Sequence, residues 1–372
     1  MKILQLSSAK AFGGGERHLA DLANSLTARG HEVHAALRPQ SRLLNELTGL
    51  SRENITTLPL RNALDAVSAR KLACYVREHK IEIVHAHLAR DYPLASYAAR
   101  RNPGSKLIVT RHVLFPLNRL HSITLSAVAR VIAVSAAVMR ELQGLVPSAR
   151  LVIVPNGIDL RRFEQVRSPA ELNSLRKRWH IREEDLLIGT VGEITPLKGH
   201  EEFLRAASLI VRHFPNAKFL IAGVDASRNG NNLTTLESLI AQLNLGSSVQ
   251  IVGWVEDLAS FYGELDVFVS ASHTESFGLA IAEAMASAVP VVATETEGAG
   301  EIIADGETGL LVPIKSVERM ASAVMDLLAD QSKRERLGKS GRERITTRFS
   351  LERMVTDTER IYEEVLKEQV AD

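Results

Sequence analysis

Lys2-Ile3-Leu4-Gln5-Leu6, then the turn Gly13-Gly14-Gly15, then a helix-like run from about Glu16 to Arg29: this opening stretch decides the fold. A short β-rich run, glycine punctuation and an amphipathic helix make one βα unit, and the same rhythm recurs along the chain. Further strands are read at Val33–Leu37, Ile81–His85, Lys106–Thr110, Val131–Val134 and Leu151–Val154, with helix-like segments between most of them. Val131-Ile132-Ala133-Val134 is apolar at every position, as expected of a strand covered on both faces, so the sheet should be parallel.

A polar stretch from Arg161 to about Arg182 interrupts the rhythm, which restarts at Leu186–Val191 and continues through Lys218–Ala222, Val249–Val252, Val267–Ser270, Val289–Ala293 and Gly309–Val312. At 372 residues the chain exceeds what one hydrophobic core usually serves. The reading is therefore two doubly wound, Rossmann-like α/β domains: residues 1–165, residues 166–350, and a last helix, 351–372, expected to pack back on the first. Ligands of such domains bind at the carboxyl ends of parallel strands, and a cleft between the two domains is the expected site.

Composition narrows the class. Apolar residues at 45% and charged residues at 24% are ordinary for a soluble protein, and no run approaches the roughly 20 apolar residues that span a bilayer. The single cysteine, Cys74, has no partner for an intrachain disulfide and sits among Leu72, Ala73 and Val76, so it is read as a small core residue in a reducing, cytoplasmic compartment. The net charge of +1 hides an asymmetry: residues 1–165 hold 23 Lys+Arg against 12 Asp+Glu, or +11, leaving −10 for the remainder. A basic half attracts phosphates or an acidic membrane surface, or is simply a solvated face. It lacks the Lys/Arg stripe of a nucleic-acid reader, so no nucleic-acid partner is expected.

The segment from Ser272 to Ala286 follows the strand Val267–Ser270 and is read as opening a helix near Ser276. Amides of Ser276, Phe277 and Gly278, with Leu279 beyond them, then form an anion cradle, and Gly278 permits close approach. Glu275 stands before that helix start and Glu283 about two turns along it, placed to accept hydrogen bonds from two sugars of one ligand. Taken singly, each is equally readable as a dipole-complementing or solvated glutamate.

Glu275 and Glu283 form an E-x7-E pair, and with its neighbours that pair resembles the retaining glycosyltransferases of family four, which have the GT-B fold. Val154-Pro155-Asn156-Gly157-Ile158-Asp159, Gly192 with Lys198-Gly199-His200, Val252-Gly253-Trp254, Pro290–Ala293, and Asp305–Val312 fall in that family's order. So do Gly13–Glu16, His85-Ala86-His87, Arg111-His112 and Val134-Ser135. The resemblance implies that Glu283 binds ribose hydroxyls and that Glu275 and the following amides hold the donor sugar and phosphate. It also implies that Lys198 neutralises the pyrophosphate, and that His112 contacts the transferring sugar rather than being a hydrogen-bonded structural residue. Gly14 and Gly15 bring backbone close to donor or acceptor, and Gly253 belongs to the donor side. For His85 and His87 a structural role leads.

Where most relatives place an arginine beside the pyrophosphate, this chain has Glu193, which is expected to pair with Lys198 or with Arg17 or Arg111. Ala288 and Ala299-Gly300 depart from the usual glycines. No D-x-D sequence is present, so no metal ligands and no cofactor are expected on the donor phosphates. The expected reaction transfers a sugar from a UDP- or GDP-linked donor to a glycan or lipid-linked acceptor, with contact to anionic lipid at the inner face of the membrane. A synthase with a small soluble acceptor, or a non-catalytic nucleotide-sugar-binding protein, are the alternatives.

Overall fold

The computed structural model describes residues 1–115, 117, 119–164, 176–227 and 229–368. The region around the division read at 165/166 lies outside the described residues. Two compact units are present: Met1–Gly157 with Leu351–Asp372, and Ile158–Ser350.

The first unit contains seven parallel strands, β1 (Lys2–Ser7), β2 (Glu32–Leu37), β3 (Ile55–Thr57), β4 (Ile83–Ala86), β5 (Lys106–Arg111), β6 (Arg130–Ala133) and β7 (Leu151–Ile153), in the order β3-β2-β1-β4-β5-β6-β7. The second contains β8 (Leu186–Val191), β9 (Ala217–Ala222), β10 (Val249–Gly253), β11 (Val267–Ser270), β12 (Val291–Thr294) and β13 (Leu310–Val312), ordered β10-β9-β8-β11-β12-β13. Every ladder is parallel. Both sheets are doubly wound, and in both the order reverses beside the first strand, at β1/β4 and at β8/β11.

Local chemistry explains the elements. The first helix, Gly14–Ala28, starts where the Gly13 N–H donates to Glu16 Oε2 at 3.1 Å, and it buries Leu19, Leu22, Ala23 and Leu26. The last helix, Leu351–Lys367, turns Met354, Val355, Ile361, Tyr362 and Val365 into the same core as Ile3, Leu19, Leu26, Ile83 and Ile108, so the chain's end completes the first unit. Arg29 fastens it by ion pairs to Glu352 and to Glu359. In the second unit Ile158 bridges to Ser350 and its N–H donates to the Phe349 carbonyl at 2.8 Å, so this unit starts and finishes on paired residues.

Two details differ from the sequence reading. Strand β3 was not expected, since Ile55-Thr56-Thr57 is a three-residue edge strand without an apolar run. Cys74 is exposed rather than in the core. In the helix Ala66–Glu78 the buried residues Leu72, Ala73 and Val76 share one face, and at about 100° per residue Cys74 falls opposite it.

Close packing decides two small-residue positions. Ala288 has φ +58, the left-handed region that a glycine occupies without steric cost. Gly338, inside the helix Gln331–Arg348, lies against the carbonyl of that same Ala288, and a Cβ there would come within 2.0 Å of the oxygen. Ala288→Gly is therefore expected to stabilise the fold by roughly 0.5–1 kcal/mol, and Gly338→Ala to destabilise it by about 2 kcal/mol or more despite alanine's better helix propensity. Gly300→Ala, in the helix Glu297–Ile302 with open space around it, serves as the control and should be neutral to stabilising. Urea unfolding of the three variants checks this. Equal effects of Gly338→Ala and Gly300→Ala would contradict it.

Candidate functional site

The sequence-derived residues collect at the carboxyl ends of the strands flanking each reversal. In the second unit, Gly192 follows β8 and Ser272 comes just after β11. The loop after β8 is pressed onto the loop after β11: Gly199 has φ +65, and a Cβ on it would lie 1.9 Å from the Ala271 oxygen. The His273 N–H donates to the Leu197 carbonyl at 2.8 Å. This contact sets the Lys198 Nζ 2.6 Å from Glu275 Oε1, while Ser272 Oγ donates to the same oxygen at 2.7 Å. The aliphatic part of Lys198 lies over Gly192, where a Cβ would meet its Cδ at 3.4 Å.

Glu193 does not pair with Lys198, which Glu275 takes. Arg17 pairs with Glu46 at 2.8 Å, and Arg111 donates to the Phe115 carbonyl. The Glu193 side chain is exposed, and no ion pair is recorded for it among the described residues; its backbone carbonyl accepts from His200 Nε2 at 3.2 Å.

The helix expected near Ser276 begins at Leu279 and runs to Ala286. Gly278, at φ +104, is the reason: a left-handed residue cannot lie inside a right-handed helix, so Ser276 and Phe277 belong to the loop. The free amides at the helix start are thus those of Leu279 and the residues just after it, beyond Gly278. Glu283 stands just over one turn along the helix rather than two. Its Oε2 accepts from the Tyr262 hydroxyl at 3.0 Å, and burial, reinforced by the charge of Glu283, holds that phenol well above its usual pKa, so it remains a donor. Phe277 points into the core against Phe349, leaving only its backbone for a ligand. The loop is backed by Gly298, whose N–H donates to the Glu275 carbonyl at 3.2 Å and whose Cα admits no side chain. Gly253, at the end of β10, accepts through its carbonyl from the Gly223 N–H at 2.9 Å, and Gly223 in turn abuts the Gly192 carbonyl, so the row of strand ends is continuous.

In the first unit the loop after β1 is tied to the segment after β4, the Ser8 N–H donating to Asp91 Oδ2 at 2.8 Å and Arg90 Nε to Ser8 Oγ at 2.6 Å. Gly14 and Gly15 are the first helical residues beyond that loop, and the His112 ring packs on Gly15. His112 does not stand alone. Its Nε2 lies 3.2 Å from His87 Nδ1, His87 Nε2 lies 2.8 Å from Gln5 Oε1, and the Gln5 amide nitrogen donates to the Tyr362 hydroxyl at 3.4 Å. The same hydroxyl is 2.6 Å from His85 Nδ1, whose Nε2 meets Thr110 Oγ1 at 2.7 Å. Burial lowers the pKa of His18 to about 4 and of His85 to about 3, and that of His87 and His112 well below the ordinary value. All four are neutral at pH 7. Tyr262, Gln5, Tyr362 and His18 were not singled out from the sequence, since each meets its partners from a distant segment without a spacing signal; Ser272 opened the segment read around Glu275, but no role was given to its hydroxyl.

Residues 12–162 match the Glycosyltransferase Family 4 model and residues 173–344 the Glycosyl transferases group 1 model. The N-acetyl-alpha-D-glucosaminyl L-malate synthase of Bacillus anthracis is 27% identical over 377 residues, covering 96% of each chain. A glycosyltransferase from Rickettsia africae ESF-5 superposes with TM-score 0.88 at 26% identity, covering 98% of both chains. Anabaena Alr3699/HepE, solved with UDP and glucose, shares the fold with TM-score 0.86 at 18% identity, over 98% of this chain and 100% of its own.

The depressed histidines make stability depend on pH. The unfolded chain takes up protons on these groups below about pH 6.5, whereas folded His18 does so only near pH 4, so acid favours unfolding across that window. For the metal-free protein His18 alone should remove about 2 kcal/mol between pH 7 and pH 5. Urea unfolding at both values should show a smaller drop for His18→Phe than for the natural chain. An identical drop in both would refute the assignment.

Proposed function

The chain belongs to the group 1, family 4 glycosyltransferases, and from that premise we propose that it moves a sugar from a UDP- or GDP-linked donor to a hydroxyl acceptor with retention of anomeric configuration. The observation that carries the reading is the Lys198–Glu275 contact at the β8/β11 reversal, with Glu283 held by Tyr262 on the adjoining helix. In this reading Glu283 receives the ribose hydroxyls, Glu275 and the amides from Gly278 onward hold sugar and phosphate, and His112 contacts the transferring sugar. Lys198 stabilises the nucleoside diphosphate as it leaves, since a fixed cation is worth most where negative charge accumulates. With that charge supplied by the protein and no D-x-D sequence, transfer proceeds without a metal on the phosphates.

The acceptor carries negative charge. The +11 balance of residues 1–165 favours such a molecule, and one relative, matching over 96% of the chain, is named for a dicarboxylate, L-malate. A small soluble anion and an anionic lipid-linked glycan both meet this description, and no described helix is long and apolar enough to cross a membrane. Flotation with anionic and neutral liposomes separates them: retention on anionic vesicles supports the lipid-linked acceptor and a cytoplasmic-face location, and failure on both supports the soluble one.

Glu283→Ala should weaken donor binding by about 10–100-fold, the worth of one or two hydrogen bonds to a charged group. Lys198→Ala should lower kcat by about 100–1,000-fold. A thermal-shift panel of nucleotides and nucleotide-sugars identifies the donor, because a ligand at 100 times its Kd adds about 2.7 kcal/mol of stability. Transfer assays with EDTA should retain full activity. Donor binding without hydrolysis or transfer to any acceptor pool would replace this proposal with a non-catalytic binding protein.

A further inference from the structure

At the β1/β4 reversal of the first unit lies a group of side chains that sugar transfer alone does not account for. His18 comes from the first helix, His87 from the residue after β4 and His112 from the residue after β5, and their candidate ligand nitrogens all lie within 4.8 Å of one another. Ring centroids are separated by 4.7 Å for His18–His112, 5.5 Å for His87–His112 and 5.8 Å for His18–His87. Three imidazoles holding one ion tetrahedrally at about 2.0–2.1 Å place their ring centres about 5 Å apart. The observed spacing is close to that arrangement with only small side-chain movement.

Protonation and orientation point the same way. A neutral imidazole is the form that ligates a metal, and burial keeps all three neutral. The tautomer of His87 follows from its neighbours: the Gln5 amide nitrogen donates to Tyr362, which leaves Gln5 Oε1 to accept from His87 Nε2–H and directs the unprotonated Nδ1 into the cluster, 3.2 Å from His112 Nε2. A ligating histidine whose far N–H is held by an oxygen is the usual outer arrangement of a metal site.

The other nitrogens are poorly satisfied. His18 is 4% exposed, and only a weak hydrogen bond to the Asn156 side chain reaches its ring; His112 Nδ1 is buried and unmet. A neutral imidazole necessarily carries one donor and one acceptor, and Asn156 meets at most one of them, so His18 buries the other unsatisfied, which native interiors tolerate rarely. The buried Asn156 side chain thus places a neutral polar group beside the cluster, held to it by no more than that weak contact with His18.

We propose that His18, His87 and His112 form a binding site for one divalent transition-metal ion of the zinc class, and that its occupation withdraws His112 from the transferring sugar and so inhibits transfer. The inhibitory half rests on the sugar contact proposed above for His112; the binding half does not. An all-nitrogen donor set selects zinc, cobalt, nickel or copper over magnesium and calcium, which require oxygen ligands.

The test uses the full chain, stripped with chelator and returned to chelator-free buffer. Addition of Co2+ should produce the visible ligand-field absorption of a low-symmetry cobalt site, displaced by Zn2+ at one ion per chain in equilibrium dialysis, with Mg2+ producing nothing. His18→Leu and His18→Phe, the second retaining a ring of similar size should the first fail to fold, should each weaken Zn2+ binding at least 100-fold and abolish the cobalt band. Gln5→Leu, which releases His87 Nε2, should weaken it about 10–100-fold. Absence of the band and of zinc binding in the folded natural chain overturns the site, as does binding that persists unchanged in both His18 variants. Micromolar Zn2+ should reduce transfer by the natural chain and leave a His18 variant insensitive; binding without loss of transfer overturns the inhibitory half alone. Absence of transfer with every donor counts against the transferase reading and leaves the cobalt result standing.

Discussion

A parallel sheet whose strand order reverses leaves one place where neighbouring loops run off to opposite faces, and this chain builds that reversal twice, at β1/β4 and β8/β11. Each polar cluster described above follows from it. Only there can a lysine from the loop after β8 meet a glutamate 77 residues later, and only there can histidines from the first helix and from the ends of β4 and β5 share one space. The glycines at 199, 223 and 298 serve the same end. Each occupies a point where backbone approaches backbone or a functional side chain too closely for a Cβ of its own.

The two reversals are chemically unlike. That of the second unit is partly open and charged, with the Lys198 side chain 31% exposed and Glu275 14%, as suits a site that exchanges one ionic partner for another. That of the first unit is a chain of neutral groups running from Thr110 through His85, Tyr362, Gln5 and His87 to His112, sealed by the last helix. A buried network of this kind rigidifies when fully satisfied and is costly where it is not. Its inner end is satisfied, whereas its outer end is not: the outer nitrogen of His112 is unmet and His18 has only Asn156. The unsatisfied end is where a ligand gains most.

Most of the sheet was legible because strands buried on both faces are written as unbroken apolar runs, and β6 and β8 are the clearest cases. β3 escaped because three half-exposed edge residues carry no such run. The helix before Glu283 was placed three residues early because the backbone sign at Gly278 is a tertiary outcome that composition does not encode. Lys198 and Glu275 were both named, yet each was assigned to a ligand, because a contact across a large sequence separation has no spacing signature. The histidine cluster was less legible still. His85 and His87 were read as structural from their alternation on one strand, which is apt for His85, held at both nitrogens within the sheet. His18 gave no signal, being one of two polar residues, with Asp21, on the buried face of the first helix.

Under the proposed transfer, the Lys198–Glu275 pair has a consequence for specificity. Two unit charges about 3 Å apart interact by roughly 6 kcal/mol at an effective dielectric of 20, before solvation is counted. A diphosphate that draws Lys198 away therefore leaves a largely buried carboxylate without its cation, and near a new negative charge. Ser272 donates a single hydrogen bond to Glu275, which is too little to compensate. A sugar attached to the same diphosphate supplies hydroxyl donors where the lysine had been. The intact nucleotide-sugar thus satisfies both partners of the broken pair, while the bare nucleotide satisfies one. After transfer the sugar is gone, Glu275 regains its claim on Lys198, and the pair itself favours release of the product.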